Sequence, residues 1–129
     1  IMANGTIAFD TLSTSGQISG TAKSVDTDYL AYGSAKAWLR LNGTGTIAIR
    51  DSFNIASNTD NATGTTTTAF TNVFNNDEFA TTGMHSSTAH VMQVVVTNEV
   101  GSVKFRTQNS SFAQVDDPAQ AITVHGDLA

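Results

Sequence analysis

The chain has no cysteine and a single proline, Pro118, among 129 residues. Without cysteine there is no disulfide framework, no thiolate metal site and no thiol nucleophile. With one proline it is no Pro-rich spacer. Charge is also scarce: Asp, Glu, Lys and Arg make up 13% of the residues, about half the usual share for a soluble protein. Lys and Arg together number six, they are scattered, and the formal net charge is −5. No nucleic-acid partner is expected, because neutralising phosphates dominates that kind of affinity. An anionic membrane surface is disfavoured for the same reason. No apolar run approaches the roughly 20 residues of a membrane-spanning helix, and no signal-peptide pattern is visible at the N-terminus. Helical periodicity does not extend beyond about a turn anywhere.

The space left by charge is filled with Thr, Ser, Asn and Gly, while hydrophobic residues stay near average at 40%. Threonine is β-branched and fits a pleated, half-exposed surface. A neutral, lysine-poor surface suits an extracellular or virion protein, or one largely covered by copies of itself. The plainer alternative is a monomer that happens to be rich in threonine. The hydrophobic content argues against general disorder.

The alternation of side chains is clearest in residues 35–42. Ala35, Ala37, Leu39 and Leu41 share one face of a strand, and Lys36, Trp38, Arg40 and Asn42 the other. The aliphatic face is the core face. Trp38 then stands outside among cations, as an amphipathic surface residue or a contact between subunits. Gly43-Thr44-Gly45 is a turn. Residues 46–57 form one interrupted strand, or two strands with a bulge near Arg50-Asp51-Ser52. Asp60-Asn61-Ala62-Thr63-Gly64 is a hairpin loop, and residues 65–70 return as its partner. Further strands are expected over 79–85, 89–97, 102–107 and 121–125, with turns at Asn75-Asn76-Asp77 and Asn98-Glu99-Val100-Gly101. Strands at a spacing of about ten residues indicate an all-β, antiparallel sandwich, jelly-roll-like. Residues 1–34 are read as an extended N-terminal arm that packs on the domain or on a neighbouring subunit. The alternative for this segment is a partly mobile N-terminus. Residues 35–129 are the sandwich domain.

Chemistry-bearing clusters are few. His85 and His90 flank a short loop, but no His-x-His motif occurs, and ordinary sheet or surface histidines account for them and for His125. Asp116-Asp117 and Asp26-Thr27-Asp28 are acidic pairs. Neither follows the spacing of a calcium loop, and they read as a turn and as a loop or helix cap. No Gly-x-Ser-x-Gly elbow and no phosphate-binding glycine loop is present. No enzyme activity, metal or other cofactor is therefore expected.

Four segments carry a resemblance. Ala35-Lys36-Ala37-Trp38, Asn42-Gly43-Thr44-Gly45-Thr46, Ile49-Arg50-Asp51-Ser52-Phe53-Asn54-Ile55 and Asp60-Asn61-Ala62-Thr63-Gly64 resemble a module of tailed-bacteriophage proteins, of the type AKAWxxFNGTGTxAIRxSFNVSSxTDNGTG. Many such proteins are tail-fibre or receptor-binding proteins of marine and cyanobacterial phages. The likeness is close over about forty residues and looser in the C-terminal half. Leu41 replaces a usual aromatic, Asn58 and Ala62 replace the more typical Ile and Gly, and residues 65–68 are plainer than the usual strand. The resemblance implies a β-rich, homotrimeric virion protein that acts by binding, with a host-surface glycan and other virion proteins as partners. A head decoration or capsid-fibre role is the alternative, and a small glycan depolymerase comes third. No functional residue is carried over. Polarity and position instead nominate the loops 84–89 and 108–118, with Met84, His85, His90, Gln108 and Phe112 as candidate recognition residues, and Trp38 as the candidate subunit contact.

Overall fold

The computed structural model describes residues 16–19, 22–86 and 90–129, and the side chains of all of these except 90–94. The strands are β1 (Gln17–Ser19), β2 (Ser24–Asp26), β3 (Ala37–Asn42), β4 (Ala48–Phe53), β5 (Ile55–Ala62), β6 (Thr65–Phe70), β7 (Ala80–His85), β8 (His90–Glu99), β9 (Ser102–Asn109) and β10 (Gln120–His125), and the helix α1 is Thr27–Gly33. Eight strands form two four-stranded antiparallel sheets, in the orders β4-β3-β10-β7 and β5-β6-β9-β8. The sheets pack face to face as the all-β sandwich that the strand spacing indicated. Three hairpins, β3-β4, β5-β6 and β8-β9, keep successive strands within one sheet, whereas a strict jelly roll passes each strand to the opposite sheet.

Period two decides what is buried. Ala37, Leu39 and Leu41 point inward from β3, and Ile122 and Val124 from β10. Phe70, Val103 and Phe105 meet them from the second sheet. Between these residues Trp38 and Thr123 are half-buried on the outer face and Arg40 is exposed. The inner face of β6 begins with two threonines, Thr66 and Thr68, before it reaches Phe70. Their methyl groups fill space, and the Thr68 hydroxyl bonds to Asn58 Oδ1, which gives this buried hydroxyl its partner.

One end of the sandwich is closed by aromatic rings. Phe70, Phe74 and Phe79 form a triangle with centroid separations of 4.9, 5.6 and 4.5 Å. Two of the three contacts are edge-to-face, the arrangement that ring quadrupoles favour. Phe74 and Phe79 lie in the connection between β6 and β7. The C-terminal residues hold that connection in place: Asn75 N–H donates to Asp127 O at 2.9 Å and Ala129 N–H to Val73 O at 3.1 Å. Gly126 is needed there, since a Cβ would lie 2.7 Å from Phe79 Cβ and 3.0 Å from the Phe74 ring.

The expected bulge falls at Arg50. Arg40 pairs with Asp51 but Leu41 pairs with Ile49, leaving Arg50 unopposed. The extra residue moves the second half of β4 to the other parity. Phe53 therefore stands beside Trp38 on the outer face, 54% exposed, although it shares its sequence parity with Ile47 and Ile49. The chain then crosses between sheets at Asn54, whose φ of 57° is one that Asn tolerates better than most residues. Its side chain fixes the corner. The amide donates to Lys36 O and Asn72 O, both at 3.0 Å, and Oδ1 accepts from Asn72 N–H at 2.6 Å.

The described part of the N-terminal segment, residues 16–19 and 22–34, is not the extended arm expected there. Residues 1–15 and 20–21 of that arm lie outside the described residues. Where described, it is a short hairpin, β1 against β2, followed by the two-turn helix α1. Asp26 explains the helix start: its carboxylate accepts from Asp28 N–H at 3.0 Å, the usual work of an N-cap. The cap reading of Asp26 was thus available from sequence, but the helix after it is too short to give a periodic signal. No residue of α1 is buried, and Tyr29 and Tyr32 are 75% and 57% exposed.

The packing separates two phenylalanines by consequence. Phe74→Ala is expected to cost about 3–5 kcal/mol of unfolding free energy, because it empties the centre of the ring triangle. Phe53→Ala, on the outer face, should cost under about 1 kcal/mol. Urea unfolding followed by Trp38 fluorescence checks both.

Candidate functional site

Four parts of the chain meet at the end of the sandwich opposite the phenylalanine triangle: the β3-β4 turn, the β5-β6 hairpin, Ser86 just after β7 and the long β9-β10 connection. Residues 116 and 117 tie them together. Asp117 is fully buried. Its Oδ1 accepts from Ala119 N–H at 2.8 Å and from the Ser86 N–H and hydroxyl at 3.5 Å. Its Oδ2 lies 3.9 Å from His85 Nδ1. Its backbone carbonyl accepts from Gly43 N–H at 2.9 Å. Asp116 faces the other way, and its Oδ1 accepts from Gly64 N–H at 2.6 Å. A buried carboxylate without donors would be strongly disfavoured, so these contacts fix the geometry of the whole end.

The hairpin fits against this brace through Gly64. Its φ is +65°, and a Cβ would meet Val115 N at 2.6 Å and Thr107 O at 2.7 Å. Only glycine allows the turn to press so closely on the β9-β10 connection. Thr107 N–H donates to Gly64 O at 2.8 Å and Val115 N–H to Thr107 O at 3.1 Å. The connection 110–119 is therefore bound along its length. Asn109 Oδ1 accepts from the N–H groups of Ser111 and Ala113, and Gln108 Nε2 donates to Phe112 O at 2.9 Å.

The nominated recognition residues are placed differently from the expectation. Met84 and His85 belong to β7, where they pair with Ala121 and Gln120, as the strand expected over 79–85 has them and not in the loop nominated over 84–89. His90 opens β8 opposite Asn109, and Gln108 belongs to β9. Residues 87–89 of the expected loop lie outside the described residues. Phe112 is in a connection as expected, 73% exposed, with a φ of 62°. Met84 is also 73% exposed, whereas the His85 side chain is 11% exposed and turned toward Asp117. Phe112 and Met84 thus present apolar side chains at the braced end, and His85 is part of the brace. Trp38 lies on the outer face of the first sheet, between Phe53 and Thr123 in neighbouring strands.

Met84 and His85 also line a groove of about 210 Å³ with Arg40, Ser86, Ala119 and Ala121. A second, wider hollow of about 360 Å³ lies against α1, lined by Asp28, Tyr29, Tyr32 and Gly33. Among the described residues no three His, Asp or Glu side chains are placed to hold a metal ion. No helix among them is long and apolar enough to cross a membrane. No protein-family model, curated protein or solved structure matches the chain.

Sequence reasoning treated Asp116-Asp117 as a turn and missed the brace. The signal that could have suggested it is Asp-Asp-Pro closing a polar connection just before a strand that starts with Gln120. The brace predicts a graded response. Asp117→Ala should lower stability by ~2 kcal/mol, since several part-buried donors lose their acceptor, and should speed amide exchange at Ser86 and Ala119. Asp116→Ala should speed exchange at Gly64 while leaving Ser86 unchanged. Hydrogen exchange read by NMR distinguishes the two.

Proposed function

We propose that the chain is a bacteriophage virion protein, a tail-fibre or receptor-binding module that works by adhesion to the host surface. The resemblance of residues 35–64 supports this reading. The structural observation that carries it is the braced end, where strand-borne and tightly bonded side chains surround exposed apolar ones. Recognition surfaces gain affinity when they are ordered before binding, and loops held on a rigid scaffold are where binding residues concentrate. Met84 and Phe112 are the contact residues in this reading. Asp116 and Asp117 support them.

The same reading makes the chain a homotrimer that contacts other virion proteins. Exposed apolar side chains away from the braced end support that part. Tyr29, Leu30 and Tyr32 stand out from α1, a helix too short to hold its shape in isolation. On the first sheet, Phe53 extends the surface of Trp38. Burying such groups against copies of the chain would stabilise both.

Two measurements test the proposal. Purified protein should compete with phage for adsorption to susceptible cells, and the double variant Met84→Ser/Phe112→Ser should compete at least tenfold less well while keeping its unfolding midpoint. Competition by neither protein, with antibody labelling on the phage head, would move the chain to a capsid-decoration role. Light scattering at micromolar concentration should give three times the chain mass, and a strict monomer would end the trimer proposal.

A further inference from the structure

The groove beside Met84 has a simple origin in strand register. Arg40, Ala121 and Met84 form one row across β3, β10 and β7, since Ala121 pairs with both of the others. Neighbouring strands stand about 4.8 Å apart. A methyl group between two long side chains therefore leaves a notch on the outer face of the sheet. Ala119, Ser86 and His85 complete its lining. The volume, about 210 Å³, is below the roughly 300–1,000 Å³ typical of drug-sized sites. It suits one small ring.

The chemistry of the lining is specific. Arg40 is the cation, and no acidic group lies within 4 Å of its guanidinium among the described residues. Asp51, its neighbour in the ladder, has its Oδ1 bonded to Ser52 N–H at 2.9 Å. A guanidinium takes a carboxylate through two parallel hydrogen bonds. Ser86 adds a hydroxyl for polar substituents. Ala119, Ala121 and the Met84 thioether form an apolar side that fits the C–H face of a saturated ring. The groove sits on strands and next to the buried Asp117 contacts, so its walls are held before any ligand arrives.

We propose that this groove is a binding site for a carboxylate-bearing sugar unit, a hexuronate within an acidic polysaccharide. Arg40 pairs with the carboxylate, Ser86 meets ring hydroxyls, and the ring lies over Ala121 against Met84. The proposal rests on the adhesion reading for the polymer to which the sugar belongs. The groove chemistry itself does not need that reading.

The test uses the whole chain and NMR or calorimetric titration with tetragalacturonate, with a neutral hexose tetramer and sodium acetate as parallel arms. Tetragalacturonate should bind, the neutral oligomer should bind at least tenfold more weakly, and acetate alone should not saturate at millimolar concentration. Arg40→Ala and, separately, Ala121→Leu, which fills the notch from the outer face, should each weaken uronate binding at least tenfold with unchanged unfolding midpoints. Arg40→Lys should bind with intermediate affinity. The inference is overturned if the wild-type chain ignores tetragalacturonate, if it takes acetate equally well, or if Ala121→Leu binds normally. Phage adsorption is scored separately: competition that survives Arg40→Ala would leave the adhesion module standing and remove the groove from it.

Discussion

A carboxylate removed from water has to be surrounded by donors, and the positions of those donors are then no longer free. Asp117 imposes that condition on one end of the sandwich. Its side chain draws Ala119 and Ser86 toward it and faces His85, while its carbonyl takes the amide of the β3-β4 turn. Asp116 adds the β5-β6 hairpin. Two adjacent residues thus fix connections that are far apart in sequence. The opposite end is closed by a different physics, the nondirectional packing of three phenylalanine rings. The molecule is held polar at one end and apolar at the other, with the aliphatic layer of β3, β9 and β10 between them.

Much of the sandwich was legible because its strands bury one face and expose the other. Ala37, Leu39 and Leu41 alternate with half-buried and exposed neighbours, as do Val103 and Phe105 in β9, and Ile122 and Val124 in β10. Short-range signals also served: glycine at the hairpin, the bulge at Arg50, the capping aspartate at Asp26. What could not be read was long-range. Asp116 and Gly64 are 52 positions apart, and Asp117 and Ser86 are 31 apart. Nothing local marks either pair. Met84 and His85 fall both at the end of the strand expected over 79–85 and in the recognition loop expected over 84–89; their backbone groups pair with β10, so the strand reading holds and the loop reading does not. Phe74 and Phe79 sit in a connection with no strand periodicity to point them inward. The groove beside Ala121 follows from a register across three strands that are distant in sequence.

This distribution bears on where the chain can vary. The outer rows of the first sheet, including Arg40, Ala121 and Met84, have no part in the core. Their chemistry can be set by what they meet. The inner rows and the two aspartates allow no such freedom, since a change there leaves either a void or an unmatched polar group. A surface that can change over an interior that cannot is an arrangement that would suit the adhesion proposed above.

The single unopposed residue in β4 has a consequence of its own. Arg50 acts as a half-step in the reading of the strand: before it, odd-numbered positions look in, and after it they look out. Phe53 owes its place next to Trp38 to that half-step. Were the same residues paired without the bulge, Arg50 would oppose Arg40, Asp51 would oppose Leu39 and Phe53 would oppose Ala37, which would turn the aromatic, and Asp51 with it, from the skin of the protein into its interior. The bulge is thus as much a part of the surface's identity as the residues displayed on it.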